Sequence, residues 1–336
     1  MQGQRQFPNI DLHNHWIPQK YIELAKNGDI PTIASYAENE RGEFLEFPST
    51  VEGRKNFIPL MKQYCDWNVR FSDMEQMELD IVALSFVPFT FHCRGEASVV
   101  ADLHRVINDE AAKKVKENPD KLKGLGNVPL QDVKKAVEEL QRVMGMGFSG
   151  VQIPSNIDGK YLGEPEFFPF FEAAKELNAL ILIHPTDVAA EDRLAPYYLR
   201  NLIGNPLDTT ITVASLIFGE VMERLPGLKI SLCHAGGFVP FVFGRWDRGY
   251  KERRECKHLK RPPSSYIRDF YYDIITHDKT PLKYLIETLG ADRINLGTDY
   301  PFDMGQLRPL EALREVIDAD SEEYKLICYD NPMRLL

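Results

Sequence analysis

Residues 9–18 read NIDLHNHWIP, an apolar run that carries Asp11, His13 and His15 on alternate positions and stops at a proline. In a β-strand alternate side chains share one face, so the two imidazoles are expected to point the same way, with Asp11 aligned behind them. Two imidazoles converging at the end of a buried strand can share one metal ion. The pattern recurs downstream: LILIHP (180–185) finishes on His184, ISLCHAGG (230–237) on His234 and INLGTDYP (294–301) on Asp299. Burying an ionisable group is costly unless it is paired or coordinated. Apolar runs that repeatedly end on such a group therefore point to a shared site rather than to packing.

Working outward, short β-branched runs occupy 9–15, 80–87, 122–130, 149–154, 179–185, 228–236, 270–276 and 293–301. Between them, apolar residues return every three or four positions over 98–118, 131–145, 166–178, 211–225, 281–290 and 307–318, the period of helices. Apolar strands alternating with helices make a parallel sheet covered on its outer face. Eight such units predict an α/β fold of the closed (β/α)8 TIM-barrel type. No G-x-G-x-x-G follows the first strand, which weighs against a dinucleotide-binding doubly wound sheet. Two stretches exceed the repeat, 17–78 after the first strand and 186–210 after the fifth. Insertions there would lie over the C-terminal mouth of the barrel, where active sites of this fold sit, the first as a lid or a subunit contact. Residues 1–336 read as one domain with the insertion at about 17–78.

Composition narrows the function classes. Among 336 residues, 43% are hydrophobic and 27% charged, the profile of a folded globular chain. A formal charge of −10 argues against nucleic-acid or acidic-membrane surfaces and favours a small-molecule partner. The basic run RWDRGYKERRECKHLKR (245–261) reads as a helix face that is solvated, binds an anion or meets another subunit. No apolar leader or spanning segment is evident and the five cysteines form no C-x-x-C pair, so reduced thiols in a cytoplasmic protein are expected.

His13, His15, His184 and Asp299 together offer three imidazoles and one carboxylate, a set suited to Zn2+ and tolerable for Mn2+ or iron, with a position left for water. Such a site is catalytic rather than structural, and His234 is the remaining imidazole available to move protons. Many two-metal barrel hydrolases bridge their ions with a carboxylated lysine at the end of the fourth strand; Gln152 in SGVQIP favours one metal. His277, after the seventh strand, and His92 and Cys93, after the second, are expected to line the mouth, with Trp16 beside the histidine pair. His104 and His258 lie in charged, helix-like surroundings and read as surface residues.

The motifs DLHNH, GVQIP, LIHPTD, TTITVASLIFGEVMERLPGLKISLCHAGGFVPFVFGR, YYDIITHD and NLGTDYPFDMG occur in this order across nearly the whole chain. In them the chain resembles the amidohydrolase superfamily, in its branch of 2-amino-3-carboxymuconate-6-semialdehyde decarboxylase and related metal-dependent decarboxylases. The resemblance implies an amidohydrolase-type barrel in which His13, His15, His184 and Asp299 hold zinc and His234 activates the metal-bound water. It also implies a homodimer: an arginine eleven residues after the base histidine reaches the neighbouring subunit's site to bind a substrate carboxylate, and Arg245 occupies that place. The chain departs from the branch on the substrate side. The branch's second carboxylate-binding arginine is missing from its usual distance before Val69 and Arg70, leaving Arg54 or Lys55 as substitutes. Tyr198 stands where a tryptophan is usual.

The expected activity is non-oxidative decarboxylation of a small unsaturated or aromatic carboxylate. His234 and Asp299 would be the catalytic residues, and Arg245, Tyr198, Trp16 and His277 would contact substrate. The alternative is a metal-dependent hydrolase of a lactone or cyclic amide, because attack on a carbonyl needs nearly the same residues.

Overall fold

The computed structural model describes residues 7–48 and 55–336. Eight parallel strands run in sequence order around a barrel: β1 (Ile10–Trp16), β2 (Ile81–Phe86), β3 (Leu122–Asn127), β4 (Gly150–Pro154), β5 (Leu180–His184), β6 (Ile230–Leu232), β7 (Tyr271–Asp273) and β8 (Ile294–Asn295). β8 is short, and closure continues along the chain beyond it. Leu12 N donates to Leu296 O at 3.0 Å, Thr298 N to His13 O at 3.0 Å and His15 N to Tyr300 O at 2.6 Å. Gly297 permits this approach, since a Cβ there would lie 2.8 Å from the Cβ of Asp273 and 3.1 Å from that of His13.

Inside the barrel, Ile10, Leu12, Ala83, Leu125, Leu180, Leu182 and Cys233 pack together and Leu335 of the C-terminal helix joins them. Outside, the opposite faces of the strands, such as Val151, Ile153, Ile181 and Ile183, pack with the helices through Leu103, Ile107, Leu140 and Phe170. β5 shows how this alternation sets the site. Leu180 and Leu182 face inward, and His184, two positions further on, continues the inward series.

β1 departs from strict alternation. Asp11 stands opposite Val82 and Asn14 opposite Leu84, so β1 carries one extra residue between them, a bulge. The bulge lets Leu12 join the interior cluster while His13 and His15 also turn inward. Asp11 is consequently not aligned behind the imidazoles. Its carboxylate accepts from Thr298 Oγ1 at 2.7 Å and from His13 N at 3.0 Å.

Helices form where the 3.6-residue period ran, with polar caps at their starts. The Glu96 carboxylate accepts from Ser98 N and Val99 N ahead of the helix Ala97–Glu117, and Asp132 and Asp278 cap Val133–Gly145 and Lys279–Leu289. The basic run begins inside a helix, Val239–Glu252. Within 17–78, the chain forms the helices Gln19–Asn27, Lys62–Cys65 and Trp67–Gln76. An antiparallel sheet of Ser35–Asn39, Gly42–Pro48 and Lys55–Pro59 lies between the first two. Arg54 lies outside the described residues. No helix among the described residues is long and apolar enough to cross a membrane.

His104 is a correction. The helix carrying it turns its ring inward, fully buried, with Nε2 2.8 Å from Thr90 O. His258 is exposed, and its Nε2 meets Phe218 O at 2.7 Å.

Candidate active site

The C-terminal strand ends bring His13, His15, His184, His234 and Asp299 together. Asp299 Oδ1 lies 3.0 Å from His15 Nε2, 3.3 Å from His13 Nε2 and 4.0 Å from His184 Nε2, and the Nε2 atoms of His13 and His15 are 3.1 Å apart. The outer ring nitrogens are occupied elsewhere. His13 Nδ1 meets Asp273 Oδ2 at 2.7 Å, His15 Nδ1 meets Phe86 O at 2.9 Å and His184 Nδ1 meets Pro185 O at 2.9 Å. An Nδ1–H donated outward leaves the Nε2 lone pair facing inward, the tautomer a metal ligand needs.

Lone pairs facing one another at these distances repel unless a cation lies among them. For metal–nitrogen bonds of about 2.05 Å, the edge of a coordination tetrahedron is about 3.3 Å, close to the separations found. His184 Nε2 and Asp299 Oδ1 are buried with no hydrogen-bond partner. His13, His184, His234 and Asp299 offer ligand atoms all within 4.8 Å of one another, and His15 adds a further nitrogen against Asp299. The donor set fits a divalent metal ion.

His234 differs from the other three imidazoles. Its Nδ1 has no partner, its Nε2 faces the other carboxylate oxygen, Asp299 Oδ2, at 3.4 Å, and its side chain is 16% exposed. Both His234 (φ 54°) and Asp299 (φ 57°) adopt the left-handed backbone conformation. That conformation costs free energy in a non-glycine residue and is tolerated where the surroundings hold it for a purpose.

The electrostatics match a cation site. Burial drives the pKa values of His15 and His184 down, and for His184 the neighbouring imidazoles push further, so both are neutral at pH 7. Burial opposes the charge on Asp299, but His13, His15 and His234 outweigh it and hold the carboxyl well below its ordinary range. Burial also disfavours a charge on His13, yet Cys233, Asp299 and Asp273 raise its pKa well above 6.5. Negative charge around His13 therefore attracts a positive one.

Sequence reasoning passed over Asp273 as a site residue. Besides holding His13, its carboxylate accepts from the backbone N–H groups of His234 (2.9 Å), Ala235 (2.7 Å) and Ile275 (3.0 Å), so one buried side chain joins β7 to the turn after β6. The available signal was a carboxylate inside the apolar run FYYDIIT (270–276), a group that is costly to bury without partners. Arg70 is a second omission. Buried behind β1, it donates to His15 O at 2.7 Å, Gln63 O at 2.8 Å and Asn14 Oδ1 at 3.3 Å.

A cavity of about 280 Å³ opens above His184, His234 and Asp299; Tyr198, Arg200, Lys55 and Phe302 are among its walls. A second cavity, about 310 Å³ and more apolar, shares His234 and Asp299 and includes His277, Phe238 and Tyr284. His92 and Cys93 line a smaller neighbouring cavity of about 160 Å³. Trp16 lines none of these. It is buried against Phe86 and Trp67, because position 16 falls on the opposite strand face from His13 and His15. Arg245 is exposed on its helix, lines none of these cavities and has no ion pair within its own chain among the described residues. Gln152 is fully buried, with neither amide atom hydrogen-bonded to protein.

Comparison with known proteins agrees with this geometry. Residues 10–336 match the family model described as amidohydrolase. The chain is 34% identical over 319 residues to 2-amino-3-carboxymuconate-6-semialdehyde decarboxylase of Dictyostelium discoideum, covering 93% of this chain and 88% of that one. Among solved structures, the apo form of Metarhizium anisopliae IDCase superposes with a TM-score of 0.86 at 22% identity, over 98% of this chain and 97% of the other. The 5-carboxyvanillate decarboxylase of Novosphingobium aromaticivorans, solved with manganese and a nitrobenzoic acid, superposes with a TM-score of 0.79 at 20% identity, over 98% and 96%. The chain belongs to the amidohydrolase family, in its branch of metal-dependent decarboxylases.

Proposed function

We propose that this protein removes CO2 without oxidation from a small unsaturated or aromatic carboxylate, RCOO⁻ + H⁺ → RH + CO2. The observation that carries the reading is the division of labour around Asp299. Oδ1 faces three imidazoles anchored by their outer nitrogens, whereas Oδ2 faces the one imidazole left unanchored, His234. His13, His15, His184 and Asp299 would hold the metal, zinc by donor type, with manganese the alternative that a structural neighbour contains. A divalent ion held there would supply Lewis-acid stabilisation of negative charge developing on the substrate. The bond's electron pair stays on the substrate carbon. His234, partly exposed to the cavity, delivers from Nε2 the proton that replaces CO2, and Asp299 Oδ2 keeps that ring oriented.

The same reading assigns Tyr198 and His277 to the substrate walls, and the segment carrying Lys55 and Asn56 to a lid on a single barrel domain spanning residues 1–336. It also includes a homodimer in which Arg245 serves the neighbouring site. Arg245 is exposed and has no ion pair among the described residues, and Phe241, one helical turn earlier, is 81% exposed. Five free thiols support a reducing, cytoplasmic setting.

The test is CO2 release by metal-stripped protein reloaded with zinc or manganese. The substrates would be aminocarboxymuconate semialdehyde, uracil-5-carboxylate and hydroxybenzoates, each also given to His234→Ala. Metal-dependent CO2 that the variant abolishes while keeping its metal is the expected result. Acid release from lactones with no CO2 from any of these substrates would overturn the proposal, and loss of metal from the variant would make His234 a ligand.

A further inference from the structure

We propose that Arg70 is a positioning residue for the metal centre: from behind β1 it holds His15 and Asp299 at the separation that an ion shared between them requires. This role deepens the metal-dependent reading above and rests on it.

Arg70 is the only lysine or arginine buried among the described residues. Taking a guanidinium out of water is costly, and a buried cation is ordinarily matched with a carboxylate. The hydrogen bonds of Arg70 run instead to the carbonyls of His15 (2.7 Å) and Gln63 (2.8 Å) and to the amide oxygen of Asn14 (3.3 Å). Asn14 in turn donates to Ala83 O at 3.1 Å, which ties the same point of β1 to β2. A buried charge is thus directed at the backbone of a strand that carries two metal ligands.

The seam between the first and last strands gives the reason. β8 ends at Asn295, four residues before Asp299, and beyond it the chain meets β1 through separate hydrogen bonds such as His15 N to Tyr300 O at 2.6 Å. His13 and His15 lie on one side of this seam and Asp299 on the other. Arg70 and Asp73, three positions apart on the helix Trp67–Gln76, share one helix face and reach both sides. The guanidinium lies 5.1 Å from the centre of the Tyr300 ring, within cation–π range, and Tyr300 OH donates to Asp73 Oδ2 at 2.6 Å. One helix therefore holds His15 through its carbonyl and Asp299 through the residue next to it. On the inner side of the same backbone, His15 Nε2 and Asp299 Oδ1 are 3.0 Å apart. A slip of the seam by a few tenths of an ångström would reach this pair, and metal affinity responds to displacements of that size.

Loading the protein with Co2+ in place of zinc tests this without turnover, because chelator competition gives the affinity and visible absorption follows the ligand geometry. Arg70→Met should weaken binding about tenfold or more and alter the spectrum. Arg70→Lys, which keeps the charge but not the planar fork, should fall between that variant and the wild type. Leu140→Ala, a fully buried core position on the helix Val133–Gly145, should melt earlier yet bind Co2+ like the wild type, which separates positioning from a general loss of stability. A folded Arg70→Met with wild-type affinity and spectrum overturns the proposal, as does an equal loss of affinity in Leu140→Ala. Should Arg70→Met fail to fold, Arg70→Lys decides by the same two readouts. Absence of CO2 from every substrate would remove the decarboxylase reading but not a measured loss of metal affinity in the Arg70 variants. CO2 release with unaltered metal binding in those variants would remove only the role of Arg70.

Discussion

The floor of the barrel mouth and its rim are built on different plans. On the floor, His13, His15 and His184 end strands, are buried, and have each outer nitrogen fixed by a carboxylate or carbonyl. On the rim, Tyr198, Arg200 and Lys55 come from turns and a short side sheet, are partly or largely exposed, and the two cations each hold one carboxylate. The floor tolerates no loosening, because a metal ion needs its ligands within a few tenths of an ångström. The rim can vary without cost to the barrel. On such a plan the residues of the rim can vary while the metal ligands on the floor stay fixed.

The largest effect is expected at a buried imidazole outside the mouth. Burial lowers the pKa of His104 from its ordinary 6.5 to about 4. Between those values the unfolded chain binds a proton that the folded chain does not, so the ring's contribution is complete above pH 6.5 and is lost as pH falls towards 4. The window corresponds to on the order of 3 kcal/mol. Melting of wild type and His104→Asn, followed from pH 7.5 to 4, should show a flatter acid limb in the variant; parallel curves would return His104 to the surface role its sequence context suggested.

A smaller effect is expected at Asp273→Asn, which leaves the His13 ring with a weaker partner. Metal affinity should fall by about 10–100-fold, measured by competition with a chelator, while Arg200 and Tyr198 variants keep wild-type affinity. Equal affinity in the Asp273 variant would mean that His13 is held by the strand alone. The smallest effect belongs to Tyr198→Phe, which keeps the ring and removes the hydroxyl. A KM change within about tenfold is expected, with metal content unaltered; loss of metal would place the rim and the floor in one unit.

Periodicity made the barrel legible. The strand ends at His184, His234 and Asp299 each interrupt an apolar run, and each is found at the mouth. The same rule failed at Asp11, because one extra residue in β1 shifts the alternation, and a bulge leaves no mark in composition. It failed at His104, where the helical period was recognised but the face turned inward was not.

Sequence alone determined the order and number of the strands and the residue types able to hold a metal, which are local properties written in the spacing of neighbouring residues; the family followed from the resemblance of its motifs. Only the tertiary structure decided which groups support and surround them. The bond that fixes the His13 ring joins residues 260 positions apart, and Tyr198, from the segment after β5, lines one cavity with Asp299, which follows β8. Such contacts depend on how distant segments pack, and no repeat along the chain records them.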